Sequence, residues 1–154
     1  MRLRLICPGK IKESWLESGI SEYVKRLSKY CSVDIVEVAD SPDSLPVERA
    51  LAAEGDLILS RINTGDIVWV MDLHGKLMTS EEISEILTDD MERGGASLTV
   101  VIGGSNGLDP RVTARANRRI CLGKVTLTHQ MTRLIVLEQI YRGFKIARGE
   151  KYHK

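Results

Sequence analysis

The chain has 154 residues, of which 43% are hydrophobic and 28% are charged, and its formal net charge is +1. A chain of this length suits one compact domain over residues 1–154, because it buries roughly two thirds of the surface that it exposes when unfolded. The longest purely apolar run, residues 67–71, is far shorter than the roughly 20 residues that cross a bilayer, and the first ten residues lack a signal-peptide apolar region. We therefore exclude a membrane-spanning protein and expect a cytoplasmic one.

The first half of the chain alternates predicted strands and helices. Residues 2–7 and 33–38 have the alternating pattern of strands, and a loop at residues 41–46 places Pro46 where the next helix can begin. Helical spacing predicts two apolar faces that should lie in the core. The first comprises Trp15, Leu16, Ile20, Tyr23, Val24 and Leu27, and the second Val47, Ala50, Leu51, Leu57, Ile58 and Ile62.

The second half continues the alternation. The continuous apolar run at residues 67–71 indicates a central strand, and Thr79 and Glu82 form a capping box that starts a helix ending near Gly94-Gly95. We then expect a strand at 98–102, a short helix at 110–117, a short strand at 120–122 and a long helix from His129 to about residue 147. This order predicts an α/β domain with a mainly parallel sheet flanked by helices.

Three candidate binding loops follow predicted strands, at residues 71–73, 103–107 and 122–124. Ligands of such sheets bind at the carboxyl ends of the strands, so a shared pocket is geometrically reasonable. In the stretch IGGSNGL, the glycines Gly103, Gly104 and Gly107 can form a binding floor or only a turn. The dinucleotide fingerprint is missing there, and no Gly-Lys pair continues as a phosphate-binding loop, so a nucleotide-binding domain is a poor fit.

Charge is distributed unevenly along the chain. Residues 111–154 hold eleven of the 22 basic residues but only two of the 21 acidic ones. A basic end suggests an anionic partner, most plausibly RNA, although a solvated basic helix is the ordinary alternative. The three cysteines have spacings that match no zinc or redox motif, so we expect reduced thiols and no metal site.

The C-terminal part carries further candidates. Glu138 lies in a mostly apolar stretch of the last helix, and we expect an ion pair with Arg142, four residues on. His129 is either a helix-cap residue or faces a substrate. The last six residues, GEKYHK, are expected to fray.

Three blocks in order, IGGSNGL, KVTLTHQMTRLIVLEQIYRGFKI and RGEKYHK, together with LRLICPGK at the start, resemble the RlmH family. These are SPOUT-class methyltransferases of bacterial 23S rRNA that act on N3 of a pseudouridine. The family pattern has Ser and Pro where this chain has Gly123 and Thr128.

The resemblance implies a SPOUT fold with a C-terminal trefoil knot, a homodimer, and S-adenosylmethionine as cofactor, with no metal. It implies that three loops bind the cofactor. Their residues are Met71, Asp72, Leu73, Ile102, Gly103, Gly104, Gly107, Leu122, Gly123, Lys124, Val125, Thr126, Leu127 and Thr128. The implied substrate is 23S rRNA in the large subunit or whole ribosome, at a stem-loop of the subunit interface.

Methylation of N3 requires a proton acceptor with a pKa near neutrality, which makes His153 and His129 the candidates. Arg133, Arg142 and Lys154 could stabilise the anionic base or bind phosphates. We further expect Tyr152, His153 and Lys154 to order over the active site of a partner subunit. The alternatives are methylation of another rRNA or tRNA base, or a non-catalytic RNA-binding module.

Overall fold

A computed structural model describes residues 2–93 and 97–152 of the chain. Its described strands form one sheet in the order β2-β1-β4-β3-β5, and every neighbouring pair is parallel. The predicted α/β class with a parallel sheet is therefore confirmed. The strands are β1 (Arg2–Pro8), β2 (Ser32–Val38), β3 (Ile67–Leu77), β4 (Ser97–Ile102) and β5 (Arg118–Cys121).

Within the described ranges, five helices cover the two faces of the sheet: α1 (Ser14–Leu27), α2 (Val47–Leu59), α3 (Ser80–Arg93), α4 (Pro110–Arg115) and α5 (His129–Ala147). Because side chains alternate across a strand, each strand supplies both cores. Leu3 and Leu5 of β1 pack with buried residues of α1, α3 and α5, whereas Ile6 packs with those of α2 and α4. The molecule therefore has three layers, helix, sheet and helix.

Local sequence signals place several helix ends as predicted. The Thr79 hydroxyl accepts from the Glu82 amide at 3.2 Å and the Glu82 carboxylate accepts from the Thr79 amide at 2.8 Å, which confirms the capping box. Pro46 directly precedes α2, also as expected. The predicted end of α3 at Gly94-Gly95 lies outside the described residues.

Two predicted elements differ from the structure. The strand predicted at 67–71 continues to Leu77, and both Met71 and Lys76 pair with Ile120, so residues 72–75 bulge out of the ladder. The short helix ends at Arg115 rather than at residue 117, because the Asn117 backbone amide donates to the carbonyl of Val68 and the chain is already in sheet-like pairing. As a result β5 begins two residues earlier than predicted.

Three side chains predicted to be in the core are exposed: Trp15 is 59% exposed, Val47 55% and Leu57 39%. Helical spacing predicted apolar faces that are wider than the surface that the sheet covers. Each of these three residues lies at the margin of its predicted face. The cysteines are free thiols, as expected, and all three, Cys7, Cys31 and Cys121, are buried. Burial raises the pKa of Cys7 and of Cys31 to about 11.

After β5 the chain continues into the long helix α5, which packs back across the sheet. β5 is an edge strand beside β3, yet α5 packs in the same core as α1 and α3. The knot that the resemblance implies stays a prediction. Within the described residues, none of the helices combines the length and apolar character needed to cross a membrane.

A buried polar cluster joins α3, β3 and β5. The Asp90 carboxylate accepts from the Trp69 indole nitrogen at 2.7 Å and from two guanidinium nitrogens of Arg118 at 2.5 and 2.8 Å. Asp90 is only 7% exposed, so these contacts replace the water that its charge would otherwise require. The cluster thus links α3 to the neighbouring strands β3 and β5, at the edge of the sheet from which the chain continues into α5.

Asp90→Ala should lower the free energy of unfolding by about 3 kcal/mol, because it leaves a partly buried guanidinium and a buried indole N–H without their acceptor. Urea unfolding followed by circular dichroism measures this. Glu85→Ala, on the exposed side of the same helix, is the matched control and should change stability by less than about 0.5 kcal/mol. Equal stability of the two variants would contradict this role of Asp90.

Candidate active site

The three predicted loops meet in one groove of about 1210 Å³ at the carboxyl edge of the sheet. The bulge of β3, the turn after β4 and the segment between β5 and α5 form its walls. Among the predicted binding residues, those lining it are Met71, Asp72, Leu73, Ile102, Gly103, Gly104, Gly107, Leu122, Gly123, Val125, Thr126, Leu127 and Thr128. Lys124 is exposed and is not among the lining residues, although it was predicted with them.

The turn after β4 closes tightly on itself. The Gly107 amide donates to the Gly104 carbonyl at 3.1 Å, and Gly107 has a φ of +91°, which a residue with a side chain rarely adopts. A Cβ on Gly103 would stand 2.5 Å from the Gly107 carbonyl oxygen. Glycine is therefore required at both positions by the backbone itself, and at Gly103, Gly104 and Gly107 the turn presents only backbone to the groove.

Helix α2 supports this turn from outside the groove. The Glu54 carboxylate, 5% exposed, accepts from the Ser41 amide at 2.9 Å, and its other oxygen would lie 2.8 Å from a Cβ on Gly104. A Cβ on Gly55 would come within 2.7 Å of Asp109, which caps α4. Neither of these α2 residues was predicted to support the site. The only local signal for them is an acidic residue followed by a glycine in a helix.

The bulge of β3 carries an ion pair at the groove. Asp72 accepts from the His74 amide at 2.9 Å and pairs with Arg119 at 2.6 Å. Burial works to raise the pKa of Asp72, but the His74 amide and the Arg119 guanidinium outweigh it and hold that pKa below its usual range. The carboxylate is therefore ionised at neutral pH, and Arg119, which also lines the groove, was missed by the sequence analysis.

His129 lies at the first position of α5 and lines the groove. The Thr128 hydroxyl caps the helix by accepting from the Met131 amide at 3.2 Å, a contact that the proline of the family pattern could not make. Burial, and then the positive charge of Arg133, lower the pKa of His129. The imidazole is consequently neutral at pH 7 and able to accept a proton.

The start of α1 forms a rim that was not predicted as part of the site. Glu13, Trp15 and Leu16 line the groove, and the Trp15 ring is largely exposed beside it. Trp15 is exposed rather than buried in the core because it lies at the mouth of the groove.

The C-terminal candidates lie farther along α5. Glu138 is nine residues after His129, which is about 14 Å along the helix at a rise of about 1.5 Å per residue. The Tyr152 hydroxyl lies 3.2 Å from the Glu138 carboxylate, which also pairs with Arg142 at 2.6 Å, as predicted. Burial and the hydroxyl of Tyr23 raise the pKa of Tyr152.

The described part of the tail does not fray, contrary to expectation. Glu150 accepts from the Tyr30 hydroxyl at 3.0 Å, and the Tyr152 ring packs edge-on against Tyr141 with centroids 5.0 Å apart. An aromatic cluster on α1 and α5 provides the surface on which the tail packs. The sequence pattern did not predict this surface. His153 and Lys154 lie outside the described residues.

The prediction that Arg133 contacts RNA is wrong. Its side chain is 0% exposed and donates to backbone carbonyls inside the protein. Much of the remaining basic charge after residue 110 is also paired, since Arg111 binds Asp56 and Asp109, Arg118 binds Asp90, Arg119 binds Asp72 and Lys145 binds Glu150. Charges that are separated along the sequence are therefore mixed in space.

Gly103→Ala should weaken binding of S-adenosylmethionine, the cofactor that the resemblance implies, by at least about tenfold, because the added methyl group forces the turn away from Gly107. Isothermal titration calorimetry measures the affinity. Gly65→Ala, where an added Cβ meets nothing within 4 Å, is the control and should bind as the wild type does. An unchanged affinity in a folded Gly103→Ala protein would refute this role of the turn.

Comparison with known proteins agrees with this architecture. The family model described as "Predicted SPOUT methyltransferase" matches residues 1–153. Proteins named "Ribosomal RNA large subunit methyltransferase H" match over all of both chains, at 48% identity for Symbiobacterium thermophilum, 46% for Clostridium acetobutylicum and 42% for Streptococcus sanguinis.

A solved structure shows the same fold at much lower sequence similarity. It is a probable methylase family protein from Haemophilus influenzae Rd KW20, 14% identical, with a TM-score of 0.52 over 99% of this chain and 70% of that one. The groove at the carboxyl edge, the glycine turn that closes it and the full-length similarity lead to one conclusion: the chain belongs to the SPOUT methyltransferase family, in the group of the large-subunit methyltransferases H.

Proposed function

We propose that the protein is an S-adenosylmethionine-dependent methyltransferase that modifies N3 of a pseudouridine in 23S rRNA. The convergence of three backbone-rich loops into one groove is the observation that carries this proposal. The names of the full-length relatives, at 42–48% identity, support an rRNA of the large subunit as the substrate. An enzyme acting on ribosomes would work in the cytoplasm.

The residues of the groove fit the proposed cofactor. The turn at Gly103 and Gly107 offers a floor without side chains, on which a methionine and an adenine could lie against backbone. Neither the sequence nor the groove provides a phosphate-binding loop, which favours a cofactor without phosphates over a nucleoside triphosphate. The cofactor would supply the methyl group on a sulfonium, so the protein's own task is to align the acceptor nitrogen with it.

Proton removal from N3 is the second task of the protein. His129 lines the groove as a neutral imidazole, so it can accept that proton at pH 7. His153 is the other candidate. Arg119, paired with Asp72 at the same groove, is placed to stabilise negative charge on the deprotonated base.

We infer that the tail of this chain acts in another protomer. Tyr152 packs against Tyr141 of α5, about 18 Å along the helix from His129 at the groove of its own chain. In the proposed homodimer, Tyr152, His153 and Lys154 of one copy take part in catalysis at the groove of the other. Glu138 and Arg142 then fix the base of the tail.

Recognition of RNA would rely on shape and context. The chain is small, and several basic residues of its C-terminal part are held in internal ion pairs. We therefore propose the assembled ribosome or large subunit as the substrate rather than free rRNA.

Thermal unfolding with S-adenosylmethionine, S-adenosylhomocysteine and ATP tests the cofactor. Both sulfur ligands should stabilise the protein, by about 2.7 kcal/mol at a hundredfold excess over Kd, and ATP should not. Transfer of a labelled methyl group to ribosomes that lack the modification, followed by mapping of the nucleotide, tests the substrate. Binding of RNA with no stabilisation by either sulfur ligand would instead favour a non-catalytic RNA-binding module.

Deleting residues 152–154 should abolish methyl transfer while the affinity for S-adenosylmethionine stays within a few fold. The reason is that Tyr152 packs against Tyr141 and does not line the groove of its own chain, so its loss leaves the cofactor loops intact. Turnover on ribosomes and calorimetric affinity are the two measurements. A truncated protein with undiminished turnover would show that the tail is not needed.

A further inference from the structure

Arg133 is the most deeply buried charged side chain at the groove end of α5. It is 0% exposed, and one guanidinium nitrogen donates to the carbonyls of Pro8 at 2.6 Å and Gly9 at 2.7 Å. A second nitrogen pairs with Glu37 of β2 at 3.0 Å. Its Nε has no hydrogen-bond partner among the described residues.

These contacts join the first turns of α5 to the end of β1. Pro8 and Gly9 directly precede the segment that leads to Glu13 and Trp15 at the rim of the groove. Gln130 adds a longer contact to the same segment, from its side-chain nitrogen to the Lys10 carbonyl at 3.4 Å. The wall formed by α5 and the segment leading to the rim are therefore joined mainly by the Arg133 side chain.

Stability alone does not explain a charge at this position. Burying a guanidinium costs several kcal/mol, and an apolar side chain of similar volume is often as stabilising as a buried ion pair. Here the only carboxylate that binds Arg133 within the described residues, that of Glu37, is itself 34% exposed, and the other two acceptors are neutral carbonyls. The charge thus has a stability cost that a function at the neighbouring groove would explain.

His129 is that neighbouring group, one helical turn earlier and on the same side of α5. The charged groups that act on its imidazole are Arg133 on its own helix, Asp40 in the loop after β2 and Glu54 of α2. The two carboxylates favour protonation, whereas the guanidinium and burial oppose it, and the opposition prevails. Without Arg133, the two carboxylates would act on the imidazole unopposed by any positive charge.

We propose that Arg133 is a positioning residue of the reaction, which anchors the first turn of α5 to the end of β1 and holds a positive charge one helical turn from the His129 imidazole at the groove. This inference rests on the proposed function, in which a neutral His129 accepts the N3 proton. Arg133 itself touches neither RNA nor cofactor, because it is enclosed by β1, β2 and α5.

The test compares Arg133→Gln, which loses the charge but keeps a donor, with Arg133→Lys, which keeps the charge. Titration of the His129 ring is followed by NMR in the absence of RNA and cofactor, with the signal assigned by His129→Gln and that of His74 as internal reference. The His129 midpoint should rise in Arg133→Gln and should rise by much less in Arg133→Lys. Arg133→Met, of similar volume, replaces Arg133→Gln if that variant does not fold.

The pH dependence of kcat/KM on ribosomes gives the second readout. A folded-state pKa below the ordinary value means that His129 stays unprotonated until the pH falls below about 6.5. In Arg133→Gln the loss of kcat/KM should therefore begin at a higher pH than in the wild type, while the affinity for S-adenosylmethionine stays within about threefold.

Identical His129 midpoints in the wild type, Arg133→Gln and Arg133→Met would overturn the proposal. So would an altered midpoint that leaves the pH profile of kcat/KM unmoved. Failure of the wild type to methylate ribosomes would refute the proposed function instead, and the NMR titration would still show whether Arg133 controls the protonation of His129.

Discussion

The parallel direction of all five strands is the constraint on which the site depends. In a parallel sheet every strand ends at the same edge, so the loops after β3, β4 and β5 gather there although they are distant in the sequence. The apolar runs of β3 and β4 place these strands in the interior of the sheet, where helices cover both faces. The groove is a consequence of this shared edge, and the closed turn at Gly103 and Gly107 provides its backbone floor.

Helix α5 carries the proposed catalytic groups at separate positions along its length. His129 lies in the groove at its start, whereas Tyr152 packs against Tyr141, about 18 Å along the helix. Arg133 is buried against β1, and the partly buried Glu138 binds Arg142 and Tyr152.

The charge distribution shows how a sequence property can mislead. The excess of basic residues after position 110 suggests one basic face, but in the fold Arg111, Arg118 and Arg119 pair with carboxylates from earlier in the chain. Opposite charges far apart in sequence become neighbours because β5 and α4 pack against elements of the first two thirds. Arg133, which sequence position made a candidate for RNA, is instead the internal anchor of the groove.

The periodicity of apolar residues and the residues that start or stop helices and strands determined the strands, most helix ends, the parallel class and the three loops of the groove. These signals are local: the Thr79 and Glu82 cap and the apolar run of β3 each act within a few residues. Only the tertiary structure decided that Trp15 lines the groove, that Glu54 and Gly55 support the glycine turn and that Arg133 is enclosed. Those roles depend on partners from 13 to 125 residues away, and no local pattern specifies such partners.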